Sequence, residues 1–369
     1  MTATVARRTY LTNWTISVPV IALVALFLSW NRDLPGWGVG LVSACLAGAV
    51  LAAVHHAEVV AARVGEPFGS LVLAVAVTFI EVALIVTLMI SGTPEKTATL
   101  ARDTVFSAVM ITCNGIVGLC LLLGALRRRV AVFNPEGTGG ALATVATLAT
   151  LSLVFPTFTT SEPGPEFSSS QLTFAAISSL ALYGLFVAVQ TVRHRDYFLP
   201  ITTSGTVVDT EEHADPPSTK AALASLGLLV VALIAVVGDA KAVSPTIERG
   251  VAAAGFPPTV VGVVIALLVL LPETLAAVRS ALRDRVQTSL NLAYGSAMAS
   301  IGLTIPAIAI ASIWLDGPLT LGLGATELVL LGLTVVISIL TVVPGRATPL
   351  QGGVHLSLLA AFIFLAVRP

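Results

Sequence analysis

Eleven stretches of this chain are apolar over roughly the length that crosses a lipid bilayer. They run over residues 14–30, 37–60, 68–91, 103–125, 139–157, 170–190, 220–238, 257–279, 288–314, 322–340 and 350–367. A lipid interior offers no water to a bare N–H or C=O, so a spanning segment must satisfy its own backbone. An α-helix of about 20 residues does so across a core of about 30 Å. The expected fold is an all-α integral membrane protein of about 11 transmembrane helices. The 139–157 stretch is Thr-rich, and 240–256 reads as a loop or a short surface helix.

Composition agrees. Of 369 residues, 56% are hydrophobic and 11% charged, against roughly 25% charged in a soluble domain. The net charge of −1 comes without a basic tract, so no nucleic-acid partner is expected. Trp14 to Trp30 lacks a small-residue cleavage site and is followed by NRDLPGW, so it reads as a retained span. Cys45, Cys113 and Cys120 lie in apolar segments without metal-ligand spacing and read as packing residues. No His-Glu-x-x-His, Gly-x-Ser-x-Gly or Asp dyad supports an intramembrane enzyme. Neither enzymatic activity nor a cofactor is expected.

Charge sets the expected orientation. With a cytoplasmic N-terminus, eleven spans place 13 of the 19 Lys and Arg residues inside, an asymmetry that one span more or fewer would scramble. The C-terminus then lies outside. The chain divides into an N-terminal helix (1–36), a first five-span half (37–190), an acidic cytoplasmic linker (191–219) and a second five-span half (220–369). The linker carries Asp209, Glu211, Glu212, His213 and Asp215 beside Pro216 and Pro217. It reads first as a solvated tether and second as a cation sensor. An odd number of spans per half inserts the second half upside down, the inverted-repeat architecture of secondary transporters.

Two isolated carboxylates fall inside these spans. Glu81 lies in LVLAVAVTFIEVALIVTLMI and Glu273 in VVGVVIALLVLLPETLAAV, each in the second span of its half. A carboxylate at membrane depth costs at least a few kcal/mol unless it has a partner or a task. Thr78, three residues before Glu81, shares its helix face and offers a second oxygen. Pro272 removes a backbone N–H beside Glu273 and releases a carbonyl, so carbonyls near Leu271 and Pro272 are candidate ligands. Hard cations take oxygen ligands, and two carboxylates can hold either a cation or protons. Either acid could instead be a buried, protonated residue bonded to a neighbouring helix.

The spans that follow each acid are also polar. One offers Asp103, Ser107, Thr112 and Asn114, and the other Asn291, Ser296, Ser300 and Thr304. Asn114 and Ser296 are the candidate shell members among them. Glu58 and Asp239 each lie near the end of the first span of a half and are candidates for a secondary proton path, with His55 and His56 near the cytoplasmic face. Pairing of Glu58 with Arg63 and of Asp239 with Lys241 is the alternative. His355 reads as a packing histidine, and Glu327 as an acid at a helix N-terminus.

The runs HHAEVVAARVGEPFGSLVLAVAVTFIEVALI, ARDTVFSAVMITCNGIVGLCLLLG and VVGVVIALLVLLPETLAAVRSALRDRVQTSLNLAYGSAMASIGLTIPA resemble the paired α-repeats of the ChaA-type bacterial calcium/proton (sodium/proton) antiporters. These form part of the CAX branch of the cation/Ca2+ exchanger superfamily. The resemblance implies one helix followed by two inverted five-helix repeats in the cytoplasmic (inner) membrane of a bacterium. It implies export of Ca2+ against protons, with Na+ or K+ as alternatives, and assigns cation and proton binding to Glu81 and Glu273. Alternating access would then come from spans three, four, eight and nine. A homo-oligomer is compatible with this reading. The chain departs from the family's Gly-Asn-Ala-x-Glu pattern at Val77-Thr78-Phe79-Ile80-Glu81 and at Leu270-Leu271-Pro272-Glu273. It also has Ala299 where the family carries glutamine. Fewer neutral ligands make monovalent exchange more plausible, but the expected order stays Ca2+ first and Na+ (K+) second.

Overall fold

The computed structural model describes residues 11–30, 32, 34–65, 68–91, 98–201, 216–314 and 317–369. It is 82% helical. Among the described residues eleven long helices follow one another: α1 Asn13–Ser29, α2 Gly36–Val64, α3 Phe68–Ser91, α4 Leu100–Arg128, α5 Pro135–Phe158, α6 Ser169–Arg193, α7 Thr219–Ala253, α8 Thr259–Leu282, α9 Val286–Ala311, α10 Ala325–Val342 and α11 Pro349–Val367. Nine are long and apolar enough to cross a membrane, and α1 and the Val75–Ile90 part of α3 are shorter apolar helices. The expected spans are all present. The linker residues Asp209, Glu211, Glu212, His213 and Asp215 lie outside the described residues.

Local chemistry sets the helix ends. Asn134 caps α5 by accepting the Glu136 and Gly137 N–H groups, and Pro135 fills the first helical position. Ser168 with Gln171, and Thr348 with Gln351, form capping boxes at α6 and α11. Gly65 ends α2 at φ 76°, where a residue without Cβ is unstrained. Segments Ile111–Ile116 of α4, Thr150–Val154 of α5 and Val189–Arg193 of α6 widen into π-helix. Such bulges often occur at functional sites.

One boundary differs from the sequence reading. Residues 240–253 are neither loop nor separate surface helix but the continuation of α7 through Pro245. The polar side chains that suggested a loop are accommodated on the helix itself. Arg249 Nε donates to the Pro245 carbonyl at 3.0 Å, and its Nη2 donates to the Thr246 hydroxyl at 3.0 Å.

The chain packs as two compact units that interleave the sequence halves. One takes residues up to Ile80 together with the chain to Val243 that begins α7, and the other takes Glu81 to the linker and Ser244 to Pro369. In the first, α1 lies against α2, and Arg63 of α2 donates to the Thr219 hydroxyl at the start of α7 over 2.9 Å. In the second, α4 and α11 approach backbone to backbone. A Cβ on Gly118 would lie 3.1 Å from the Gly352 carbonyl, and one on Gly352 would lie 2.6 Å from the Leu122 nitrogen. Small residues at such crossings are how membrane helices approach closely.

The connections of the second unit fall into two sets. The α4–α5 and α10–α11 connections pair as a short antiparallel ladder, β1 Ala131–Val132 with β2 Arg346–Ala347. The α8–α9 turn joins them through Asp284, which is held by both Nε and Nη2 of Arg128 at 3.1 and 2.7 Å. In the other set, Thr320 N–H donates to Ala98 O, Gly322 N–H to Pro165 O, and Thr320 Oγ1 to Glu166 Oε1. That links the α3–α4, α5–α6 and α9–α10 connections. Each helix between the two sets therefore crosses from one to the other, the alternation that the charge count requires. The first set carries Arg127, Arg128, Arg129, Arg283, Arg285 and Arg346.

Candidate functional site

On α3 the buried positions Thr78, Glu81, Leu84, Ile85 and Leu88 follow the three-to-four residue helical period. Val75 and Phe79 point outward, more than half exposed. Glu81 thus sits on the protein-facing stripe, 4% exposed. Its Oε1 accepts a hydrogen bond from Ser300 Oγ of α9 at 2.6 Å, within the short range of charge-assisted O–H···O bonds. Ser296, Ser300 and Thr304 recur every four residues on one face of α9. Ser296 is half-buried, whereas Thr304 is fully buried, near the same carboxylate but outside hydrogen-bond geometry. The structure thus selects Ser300 as the partner of Glu81, although Ser296 looked the stronger candidate from sequence. Spacing on one helix cannot tell which turn lies at the depth of an acid on another.

Glu273 falls on the protein-facing stripe of α8, four residues from Val269 and from Ala277, and is half-buried. Leu271 is 37% exposed on the outward face. The helix continues through Pro272. The carbonyl that a proline at 272 releases in a continuous helix is that of Leu268, one turn back, which moves the expected ligand from Leu271 and Pro272. Thr274 Oγ1 donates to the Leu270 carbonyl at 2.7 Å.

Asn114 has other partners. It is buried in the π segment of α4, donates through Nδ2 to Thr334 of α10 at 2.9 Å, and meets His355 Nδ1 of α11 at 3.2 Å through Oδ1. His355 Nε2 meets Thr341 Oγ1 at 3.1 Å. Both ring nitrogens of His355 are thus engaged, as expected of a packing histidine. Asp103 is likewise satisfied. It is held by Arg102 at 2.8 Å and by the Thr99 hydroxyl at 2.8 Å, in the first turn of α4. Asn291 bridges Gln287 and the Phe198 carbonyl. Glu327 stands in the first turn of α10.

The secondary acids prove unequal. Glu58 is exposed six residues short of the α2 terminus, whereas Asp239 is fully buried in the middle of α7. Among the described residues Asp239 has no ion pair. Lys241 instead lies 5.9 Å over the Trp30 ring, and Arg63 is engaged by Thr219. His56 Nε2 meets the Thr15 carbonyl at 2.8 Å, and the His55 ring packs on Trp14. These contacts fix α1 on α2. Cys113 and Cys120 are buried and Cys45 half-buried, and none is in a disulfide. Among the described residues no three of His, Cys, Asp and Glu come together as a metal cage.

A multi-pass helical membrane protein with a buried, hydroxyl-bonded carboxylate has the features of an ion-transport protein. Comparison with known proteins narrows that class. The family model described as "Sodium/calcium exchanger protein" matches residues 34–192 and 224–368. The chain belongs to this family. It is 45% identical over 98% of its length, and 98% of the relative's, to "Putative ionic transporter y4hA" of Sinorhizobium fredii (strain NBRC 101917 / NGR234). It is 34% identical over 94% of its length, and 93% of the relative's, to "Sodium-potassium/proton antiporter ChaA" of Escherichia coli (strain K12). Among solved structures, native YfkE superposes with a TM-score of 0.68 at 17% identity, covering 96% of this chain and 99% of that one.

Proposed function

We propose that this chain is a secondary antiporter in which Glu81 and Glu273 hold either a metal cation or protons, so that one is traded for the other across the membrane. The observation that carries the reading is the Glu81–Ser300 bond at 2.6 Å. The acid of the first half is met by the helix that follows the acid of the second, the arrangement expected of two inverted repeats sharing one site. Ser300 supplies an oxygen beside the carboxylate. Thr78, Ser296 and the Leu268 carbonyl are the further oxygen ligands within a turn or two of these residues. A buried carboxylate cannot stay charged and uncompensated, so release of the cation demands uptake of a proton. That coupling is what makes exchange obligatory.

Na+ or K+ is the preferred substrate on this reading, supported by the name of the 34%-identical relative, a sodium-potassium/proton antiporter. The asparagines and glutamine missing from the site point the same way. Export of Ca2+ against protons is the second reading. It is favoured by the paired carboxylates, whose charge matches one divalent ion, and YfkE is described as a Ca2+/H+ antiporter. The N-terminus is cytoplasmic, and the membrane is the bacterial inner membrane.

The test is cation-dependent proton flux in inside-out vesicles, with Na+, K+ and Ca2+ compared at two pH values. Glu81→Gln and Glu273→Gln should each abolish flux. Wild-type flux in either variant overturns the proposal, and the order of the three cations decides between its two readings.

A further inference from the structure

Asp239 is a carboxylate that the exchange site does not use. It is 0% exposed, and among the described residues neither of its oxygens has a hydrogen-bond partner. Its surroundings are closed on the α1 side. Gly238, the preceding residue, lies so tightly under Leu26 of α1 that a Cβ there would overlap the leucine side chain. Helix α1 carries no titratable side chain between Asn13 and Ser29. On α2 the group within electrostatic reach is the Cys45 thiol. The other ionisable groups of α2 are His55, His56, Glu58 and Arg63, three to five turns further along that helix. On α7 itself Lys241 is drawn away over Trp30.

The depth of Asp239 is as informative as its isolation. Lys241 is only two residues away, an axial rise of about 3 Å. Trp30 at the end of α1 and Trp37 at the start of α2 are both more than half exposed, and tryptophans in such positions mark the membrane–water interface. Asp239 is therefore sealed from water yet about a turn from it. A carboxylate without hydrogen bond or counter-charge in an apolar enclosure is tolerated only when neutral.

We propose that Asp239 is a proton-binding site in its own right, filled from the face that carries Trp30 and Lys241, and that its occupancy decides whether α7 stays packed on α1. Protonated, it sits in the closed enclosure beneath Leu26. Ionised, it must reach water, and opening the Gly238–Leu26 contact provides a route. The site thus reads the pH at that face. It does not depend on Glu81 and Glu273 being the exchange pair.

The test uses the full-length chain in proteoliposomes. Infrared difference spectra of wild type against Asp239→Asn should show the carbonyl stretch of a protonated carboxyl at neutral pH. The band should fade as the pH rises and persist in the Glu81→Gln background. Asp239→Asn, fixed in the neutral form, should keep cation-dependent proton flux but lose its response to pH at the Trp30 face. Asp239→Leu provides the same spectral comparison if the amide destabilises α7. The proposal is overturned by an ionised Asp239 at neutral pH, by an unchanged pH profile in Asp239→Asn, or by a folded Asp239→Asn that carries no flux. Failure of the Glu81 reading shows separately, as flux surviving in Glu81→Gln.

Discussion

Ser300 Oγ and Glu81 Oε1, 219 positions apart in the chain, meet at 2.6 Å. The bond fixes which way the carboxylate points, and orientation of a charged ligand governs how well a cation is caught. Ser300→Ala should raise the apparent KM for the transported cation about tenfold, the worth of one such bond at ~1.4 kcal/mol. Maximal flux should change much less, and Ser300→Thr should restore affinity. Equal losses of affinity and maximal rate in Ser300→Ala would show that the hydroxyl does more than orient.

The chain of contacts Thr334–Asn114–His355–Thr341 ties the π segment of α4 to α10 and α11. His355→Leu strands two buried polar partners and should cost about 2–3 kcal/mol of stability, seen as a lower thermal midpoint in detergent. Asn114→Leu should cost a similar amount. Because both act on one network, the double variant should cost clearly less than their sum. Additive losses would mean that the two residues do not cooperate.

The Arg128–Asp284 pair is largely exposed, with side chains 67% and 38% accessible. Solvent screens such an exposed pair, so its contribution to stability should be small. The Arg128 guanidinium holds the Asp284 carboxyl below the usual carboxylate range. A depressed acid stabilises the fold above its unfolded pKa and loses that contribution as the pH falls through the folded value. The stability difference between wild type and Asp284→Asn should therefore be present at neutral pH and vanish on acidification or in high salt. A difference that grows in acid would contradict the assignment.

The two sets of linked connections make a topological prediction. On a background without Cys45, Cys113 and Cys120, the exposed positions Arg129→Cys and Arg346→Cys should react with an impermeant thiol reagent from one side of the membrane only. Ser161→Cys and Pro318→Cys should react only from the other. If Arg346→Cys and Ser161→Cys label from the same side, the eleven-span path is wrong.

Much of this architecture is legible in the sequence because the bilayer demands long apolar runs, and those runs are unbroken around Glu81 and Glu273. The misread stretch after Ala240 shows the limit of that signal. Lys241, Pro245 and Arg249 look like loop residues, yet a helix that outruns the hydrocarbon can carry them on its wet turns. The shell of Glu81 was only half legible. Ser296, Ser300 and Thr304 repeat every four residues, and which of them reaches the acid depends on the register between two helices that hydropathy does not encode. Asn114 looked available as a ligand because its partners, Thr334 and His355, lie 220 and 241 positions away.

The glycine contact between α4 and α11 has a mechanical meaning. Where Gly118 and Gly352 meet, no side chain lies between the two backbones to act as a bearing, so neither helix can slide or roll past the other without steric collision. Whatever rearrangement opens the protein to alternate sides, these two helices should travel as one stiff strut. Spin labels placed on either side of that crossing should report a constant separation throughout the transport cycle.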